Sequence, residues 1–320
     1  MSQEKGWIRR RILGVLTIDY RLVNTTGLLI RSPSAKAVIG GHDIQPMIIK
    51  KKYVFREPMG EGGGKTEGVE VEVPFIPGSS IKGRMRSLLE LYEGARLYFD
   101  GKIHIHVRDL NRQDRCNDLD HALDNLFGSP SIQVKNVAEK KDLLKEIQDK
   151  IAPTRLIVED VFPSEKYVLE LLNRYGVVSK EDFLEEKSEN RIDRITSAAD
   201  PWFILRVKPD VEFAGRMTLL LFDVDYKYDK IKEYLDLLLT GFKLIEDTYL
   251  GGSGTRGYGK VRFKDLVIRL RTPGYYLGKE DEIEIVKASS IDELLKTKDE
   301  VLSKINEYIG KYVGEEQLSG

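Results

Sequence analysis

The hydrophobic pattern of this chain changes between strand-like and helix-like periods. Residues 12–23 (ILGVLTIDYRLV) and 213–225 (FAGRMTLLLFDVD) are rich in β-branched and aromatic residues, and they predict two central strands. Residues 227–247 carry apolar side chains every three or four positions and predict the clearest helix of the chain. A second amphipathic helix is predicted over residues 79–93. The pattern therefore indicates a mixed α and β fold.

The remaining segments complete this order. They predict a hairpin at 47–73, a strand at 101–107, a polar helical insertion at 108–150, a strand at 154–162 and a helix within 163–185. The order favours an α+β fold with a ferredoxin-like or RRM-like core, in which an antiparallel sheet carries helices on one face. We expect an inserted helical segment and an extended arm in addition to that core, and the family resemblance given below implies that they are a helical lid and a β-hairpin thumb.

The predicted divisions of the chain follow from this order. They are 1–107 (the first part of the core, with the Asp43 loop and the hairpin), 108–150 (the lid), 151–185 (a core strand and helix), 186–209 (the thumb arm), 210–271 (the second half of the core, with a glycine-rich loop) and 272–320 (a helical C-terminal tail).

Composition excludes several classes of protein. Hydrophobic residues make up 41% of the 320 residues, enough for a core, and the net charge of −1 excludes a bulk polycation. Any nucleic-acid site must then be a local basic surface. The single cysteine, Cys116, excludes an internal disulfide and favours a reducing compartment. No run of 18 apolar residues occurs, so we expect a cytoplasmic protein with no membrane partner.

Residues 74–90 (PFIPGSSIKGRMRSLLE) organise the rest of the chain. They predict the end of a strand, a tight turn and a helix with Ser79 as its N-cap. Exposed amides at a helix start, with hydroxyls and cations beside them, suit an anion such as an RNA phosphate. The alternative is an ordinary capped amphipathic helix with solvated cations. The candidate RNA-binding residues here are Ser79, Ser80, Lys82, Arg84 and Arg86.

The segment 186–209 has no clean period and interleaves basic with apolar and aromatic residues. Cations can meet phosphates while a ring stacks on a base, so this pattern suits single-stranded nucleic acid. A polar β-hairpin, whose arginines pair with the three glutamates of residues 185–189, is the alternative. The candidate RNA-binding residues are Arg191, Arg194, Trp202 and Arg206.

A glycine-rich loop, GGSGTRGYGKVRF, spans residues 251–263 and runs into a strand. Its five glycines allow a backbone to approach a ligand closely. Arg256 and Lys260 are candidates to neutralise phosphates there. Such loops are common, and alone this one would not identify a function.

Four possible zinc ligands fall within one span of 18 residues, which begins just before the predicted lid. They are His104, His106, Cys116 and His121. These residue types bind zinc, but the spacing matches no standard finger and includes no Cys-x-x-Cys pair. A structural Zn²⁺ site is one interpretation, and scattered polar residues on an insertion are the other.

Taken together, these motifs resemble one family. The segments FIPGSSIKGRMRSLLE, ENRIDRITSAADP and GGSGTRGYGKVRF are similar to those of the RAMP superfamily. They look most like the Csm-type, crRNA-binding backbone subunit of type III CRISPR-Cas interference complexes. IGGHD (39–43) resembles that subunit's catalytic loop, and LFGS (126–129) resembles a feature near the end of its lid. His42 departs from the usual pattern.

The resemblance implies a specific activity. Several copies would stack into a helical filament along a crRNA guide, held by the turn and helix of residues 79–86 and supported by the loop of residues 251–260. The arm would act as a thumb that displaces one base pair of the guide–target duplex at regular intervals. Asp43 would cut the target RNA there with Mg²⁺ or Mn²⁺, either as a base or as a metal ligand. Further implied partners are paralogous backbone subunits, a large polymerase-like subunit and a small helical subunit.

Two other functions stay open on the sequence. A scaffold paralogue would hold the guide without cutting, since related paralogues can lack the aspartate. A metal-independent RAMP nuclease would process guide precursors with a histidine-centred site. The shortage of histidines near the glycine-rich loop argues against the processing nuclease.

Overall fold

A computed structural model describes residues 9–32, 44–56, 66–109, 116, 118–129 and 141–313. The predicted catalytic segment ending at Asp43 and the tip of the hairpin at residues 57–65 lie outside these ranges. The strands are β1 (Ile12–Asn24), β2 (Ile48–Arg56), β3 (Thr66–Pro74), β4 (Tyr98–Phe99), β5 (His104–Ile105), β6 (Leu156–Val158), β7 (Phe162–Pro163), β8 (Leu184–Ile192), β9 (Ala199–Val207), β10 (Glu212–Phe222), β11 (Val261–Arg271) and β12 (Ile283–Ser290).

Helices of very different lengths accompany these strands. They are α1 (Gly78–Tyr92), α2 (Ala122–Phe127), α3 (Lys141–Lys150), α4 (Glu165–Tyr175), α5 (Asp223–Lys227), α6 (Lys230–Asp247), α7 (Pro273–Tyr276), α8 (Ile291–Lys296) and α9 (Lys298–Val313). None of the helices in the described ranges has the length and apolarity that crossing a lipid bilayer requires.

The central sheet is antiparallel and has the order β12-β11-β1-β10-β6, with β7 paired to the far end of β10. Strand β1 lies in the middle, and Leu16 faces Leu219 on one side and Leu270 on the other. Side chains alternate across a strand. Tyr20 accordingly packs edge-on against Phe242 of α6, while Asp19 on the opposite face pairs with Arg216 at 2.6 Å. The strongly β-forming sequence of β1 thus becomes the core of the sheet.

The two predicted amphipathic helices, α1 and α6, pack on each other above the sheet. Their close contact depends on Gly241, because a Cβ there would lie 2.5 Å from Met85 Cγ. Met85 and Leu89 of α1 and Leu238 of α6 are buried in the main core. The apolar spacing of both helices therefore predicted most of their buried positions, whereas Tyr92, the last apolar position predicted on α1, is 62% exposed.

Both predicted hairpins are present. Strands β2 and β3 pair over their whole length, from Ile48–Pro74 to Arg56–Thr66, and β8 and β9 form a separate two-stranded arm. The predicted strand at 101–107 shortens to the two residues of β5. The predicted strand at 154–162 divides into β6 and β7.

Within the described residues, the predicted helical C-terminal tail (272–320) is only partly helical. Strand β12 extends the sheet beside β11 before α8 and α9 begin. Its sequence, IEIVKASS, places Glu284 and Lys287 among short apolar stretches, which weakens the strand pattern. Edge strands tolerate such charges because one side of the strand lacks a partner.

Candidate nucleic-acid interface

Helix α1 begins at Gly78, and its first amide is capped by another part of the chain. Asp160 Oδ1 accepts a hydrogen bond from Gly78 N at 2.8 Å. The end of β6 approaches Gly78 so closely that a Cβ on residue 78 would lie 2.2 Å from Val158 O. Pro77 occupies the N-cap position, and no side chain caps the helix from there. The predicted N-cap role of Ser79 is therefore wrong, because Asp160 reaches this amide through tertiary packing.

The three cations of α1 contact neighbouring segments of the chain. Lys82 Nζ donates to Leu156 O at 2.7 Å, and burial followed by the proximity of Arg86 lowers the Lys82 pKa. Arg84 donates to Tyr249 O at 3.0 Å and stacks over the Tyr249 ring. These cations connect α1 to the sheet edge and to the start of the glycine-rich loop.

Arg86 joins α1 to the lid. Its guanidinium pairs with Glu90 at 2.6 Å and with Asp124 at 3.3 Å, and it donates to His106 O at 3.1 Å and to Gly128 O. A cation that is shared among these acceptors is held in one position. Arg86 therefore orients the lid against the core, whatever further contact it makes.

The structure brings together two of the four candidate zinc ligands and adds a third. The rings of His106 and His121 lie 4.5 Å apart, and Asp124 Oδ2 is 3.4 Å from His106 Nε2 and 3.9 Å from His121 Nδ1. His104 instead packs against Phe99. Cys116 is outside this group. Asp124 was not among the residues predicted from the sequence, although its position three residues after His121 in a segment of helical pattern was a usable signal.

We call His106, His121 and Asp124 the lid cluster. Neighbouring arginine side chains nearly balance its charge. The adjacent Asp124 carboxylate, which favours the protonated imidazolium, raises the His106 pKa, while burial and then the proximity of His106 lower the His121 pKa. Arg108 Nε lies 3.5 Å from Asp124, and Arg86 lies on its other oxygen. His106 Nε2, His121 Nδ1 and Asp124 Oδ2 lie within 4.8 Å of one another, and none has a good hydrogen-bond partner among the described residues. The donors fit a divalent ion in geometry, but two guanidinium groups already neutralise the carboxylate.

The glycine-rich loop lies against the segment that follows β1. Gly252 N donates to Leu29 O at 2.8 Å and Gly259 N donates to Gly27 O at 2.9 Å. Gly259 has a φ of +73°, and a Cβ there would lie 2.0 Å from Leu250 O. A side chain would prevent this close approach, so the glycine is required by packing at this position.

The arginines of the arm pair partly as the alternative interpretation expected. Arg206 lies 2.6 Å from Glu185, and Arg191 pairs with Asp200 on the opposite strand. Arg256 of the glycine-rich loop, rather than an arginine of the arm, pairs with Glu189. Arg194 lies in the exposed turn of the hairpin.

Three of the predicted segments meet at a small apolar core. Leu29, Ile204 of β9 and Tyr258 of the glycine-rich loop are fully buried there, and Ile44 and Trp202 pack around them. Leu205 N donates to Ile44 O at 3.0 Å. The arm, the glycine-rich loop and the residue that follows Asp43 are thereby joined. We call this group the junction core.

Comparison with known proteins identifies the family to which the chain belongs. The model of the RAMP superfamily matches residues 55–262. A protein named CRISPR system Cms endoribonuclease Csm3 from Methanothermobacter thermautotrophicus is 34% identical over 257 residues, which cover 80% of this chain and 86% of that protein. The protein of the same name from Streptococcus thermophilus is 33% identical over 242 residues, covering 75% and 83%. The chain therefore belongs to the RAMP superfamily, in its Csm branch of type III CRISPR backbone subunits.

A solved structure shares the fold. The crystal structure of Methanopyrus kandleri Csm3 matches 92% of this chain and 98% of that chain, with a TM-score of 0.52 at 17% sequence identity. At this identity the likeness concerns the fold alone.

Proposed function

We propose that this chain binds a crRNA guide as a repeated backbone subunit and cleaves complementary target RNA at regular intervals through Asp43. The junction core carries the proposal, since it joins the arm, the glycine-rich loop and Ile44, to which Asp43 is bonded. The relatives named endoribonuclease support a nuclease activity. The proposed partners are the crRNA guide, the target RNA, further copies or paralogues of this subunit, and the large polymerase-like and small helical subunits of the complex.

The proposed chemistry needs few protein groups. RNA carries its own nucleophile, the 2′-hydroxyl, which must be aligned with the phosphorus and deprotonated. The arm, by kinking the duplex at one step, would free that linkage from A-form geometry. Asp43 would either take the proton or bind Mg²⁺ or Mn²⁺, and such an ion stabilises charge on the phosphoryl oxygens.

The proposed guide surface includes a position that the protein leaves open. Gly83 lies in the middle of α1 between Lys82 and Arg84, is exposed, and would have no described protein atom within 4 Å of an added Cβ. Glycine inside a helix costs about 1 kcal/mol relative to alanine. Protein packing does not account for that cost, whereas close approach of an RNA backbone would. Ser79, which is exposed, and Ser80 lie one turn earlier on the same helix.

A matched pair of substitutions tests this surface. Gly83→Glu and Gly83→Gln differ by one charge and little in shape, and both should improve helix propensity. We expect Gly83→Glu to bind guide RNA more weakly than Gly83→Gln, with a log–log salt slope flatter by about 0.7, as for the loss of one phosphate contact on a single strand. Binding titrations at several salt concentrations measure it. If both variants bind guide RNA with the affinity and salt slope of the unsubstituted protein, α1 does not belong to the guide surface.

The arm presents a suitable wedge. Its turn is ordered by Asp193, whose Oδ1 accepts hydrogen bonds from the amides of Ile195 and Thr196, and the Ile195 side chain is 94% exposed. Arg191, Arg194 and Trp202 would flank the RNA backbone along the hairpin. An apolar side chain held at the end of a rigid hairpin suits insertion between bases. We therefore assign Ile195 to the proposed thumb tip.

The strand order of the central sheet supports a finer assignment of the fold. We infer a ferredoxin-like core from the order β11-β1-β10-β6, all antiparallel, with α1 after β1 and α6 after β10. This matches a βαββαβ unit in which β6 is the second strand. The hairpin β2–β3, the lid, the arm and the C-terminal elements from β12 onward are additions to that unit.

A structural zinc ion is a separate proposal for the lid. Its ligands would be His106 and His121, two of the four residues predicted from the sequence, with Asp124 in place of His104 and Cys116. An ion on Asp124 Oδ2 would have to displace Arg108, because that oxygen cannot serve both fully, whereas Arg86 pairs with Oδ1. Metal analysis of the purified protein distinguishes zinc from a guanidinium-paired cluster.

The central proposal is tested on the assembled complex. With matched target RNA and Mg²⁺ we expect fragments at regular spacing, and chelation by EDTA should abolish them while the guide stays bound. Uncut target under both conditions would instead support the non-catalytic scaffold. Cleavage of precursor RNA by the isolated protein in EDTA would support the metal-independent processing nuclease.

A further inference from the structure

Glu189 of the arm reaches the glycine-rich loop and holds two of its side chains. Its carboxylate accepts a hydrogen bond of 2.5 Å from the Tyr258 hydroxyl and lies 3.1 Å from the Arg256 guanidinium. Burial and the adjacent carboxylate raise the pKa of Tyr258 to about 12, so its hydroxyl stays a donor at neutral pH. A short O–H···O⁻ bond in a mostly buried setting is among the stronger hydrogen bonds of a protein.

The Tyr258 ring lies at the centre of the junction core. Arg206 and Lys187, both from the arm, stack over it at 4.6 and 4.4 Å. Ile204 packs beside it and forms a bridge with Ile44. Asp43 is covalently bonded to Ile44, and consecutive Cα atoms lie about 3.8 Å apart. A shift of Tyr258 or of β9 would therefore be transmitted to Ile44, and through the peptide bond to Asp43.

We propose that Glu189 and Tyr258 are positioning residues for cleavage, whose hydrogen bond keeps the arm, the glycine-rich loop and Ile44 in one arrangement. This inference rests on the proposed function of Asp43. Neither residue supplies a cation, and loss of the Tyr258 hydroxyl leaves the Arg256–Glu189 pair in place, so the attraction for guide phosphates should not depend on the hydrogen bond. Loss of their bond should therefore affect the placement of the reacting groups, where an error of about 1 Å can lower a rate about 100-fold.

Two conservative substitutions test the proposal in the assembled complex. Tyr258→Phe removes one hydroxyl and keeps the ring, and Glu189→Gln removes the charge and keeps the shape. We expect single-turnover cleavage with Mg²⁺ to fall at least about tenfold in each, consistent with a loss of alignment. Guide affinity of Tyr258→Phe should stay close to that of the unsubstituted protein, and both variants should stay folded with a modestly lower melting temperature, because a hydrogen bond to a charged group is lost. The double variant should be no slower than the slower single variant, because both substitutions remove one shared contact.

The control is Glu284→Gln, which breaks the exposed Lys287–Glu284 pair on β12, outside the arm and the glycine-rich loop, and should leave the cleavage rate unchanged. An unchanged rate in Tyr258→Phe would overturn the proposal. Equal losses of guide affinity and of rate would also overturn it, since they indicate a binding role. Asp43→Ala, measured in parallel, separates failure of this inference from failure of the proposed function. If that variant cleaves normally, the proposed function itself has failed.

Discussion

Replacing Asp43 by alanine should lower target cleavage by about 10³-fold, a typical size for the loss of a group that transfers a proton in the transition state. The guide should stay bound, because the surfaces proposed to hold it lie on α1 and the glycine-rich loop. The measurement is single-turnover cleavage of matched target RNA by the assembled complex, with guide content determined on the same sample. A ladder of fragments identical to that of the unsubstituted complex would exclude Asp43 as the catalytic residue.

The two roles open to Asp43 give different results in a second variant. Asp43→Cys retains a possible metal ligand but presents a softer one. If Asp43 binds the metal ion, Mn²⁺ should recover more cleavage than Mg²⁺ in this variant. If Asp43 is the base, the two metals should give the same residual rate. Asp43→Asn is the matched control, since it keeps the shape of the side chain without its charge.

The second large effect is expected on stability. Arg155 and Asp225 are each 1% exposed and pair at 2.7 Å beneath the start of α6. Asp225 also accepts hydrogen bonds from Phe222 N and the Tyr234 hydroxyl. Asp225→Ala would leave the guanidinium buried without its charge partner, which costs about 3–5 kcal/mol. At about 2–4 °C per kcal/mol for domains of 150–250 residues, we expect the melting temperature to fall by about 10 °C.

The matched control for this pair is on the surface. Asp149→Ala removes the exposed Lys227–Asp149 ion pair and should cost at most about 1 kcal/mol. Thermal unfolding of the three proteins at one pH gives the comparison. Equal melting temperatures for Asp225→Ala and Asp149→Ala would show that the buried guanidinium finds water or another acceptor.

Local pattern was a good guide where one element is governed by its own residues. The helical spacing of α1 and α6 and the β-formers of β1 and β10 predicted elements that the structure contains. The pattern failed at β12, where charged residues on an edge strand hide the alternation. It also failed at the start of α1, because Asp160, the group that caps the helix, lies 82 residues away in the chain.

In the candidate site, too, the sequence predicted which residues have suitable chemistry but not which residues they contact. Residue types and spacing were sufficient to select Lys82, Arg86 and Arg256 as cations of interest. They could not show that Arg86 is shared between Glu90 and the lid, or that Glu189 holds Arg256. The assignment of these residues to RNA contacts stays a prediction.

The sequence by itself determined the family, the elements of the central sheet and the residues with suitable chemistry, because side-chain periodicity and short motifs are properties of neighbouring positions. Only the tertiary structure decided which distant groups meet. It formed the junction core from residues 29, 44, 204 and 258, and it replaced His104 and Cys116 by Asp124 in the lid cluster. Such contacts depend on how the sheet and arm pack, and packing brings together residues that no local pattern relates.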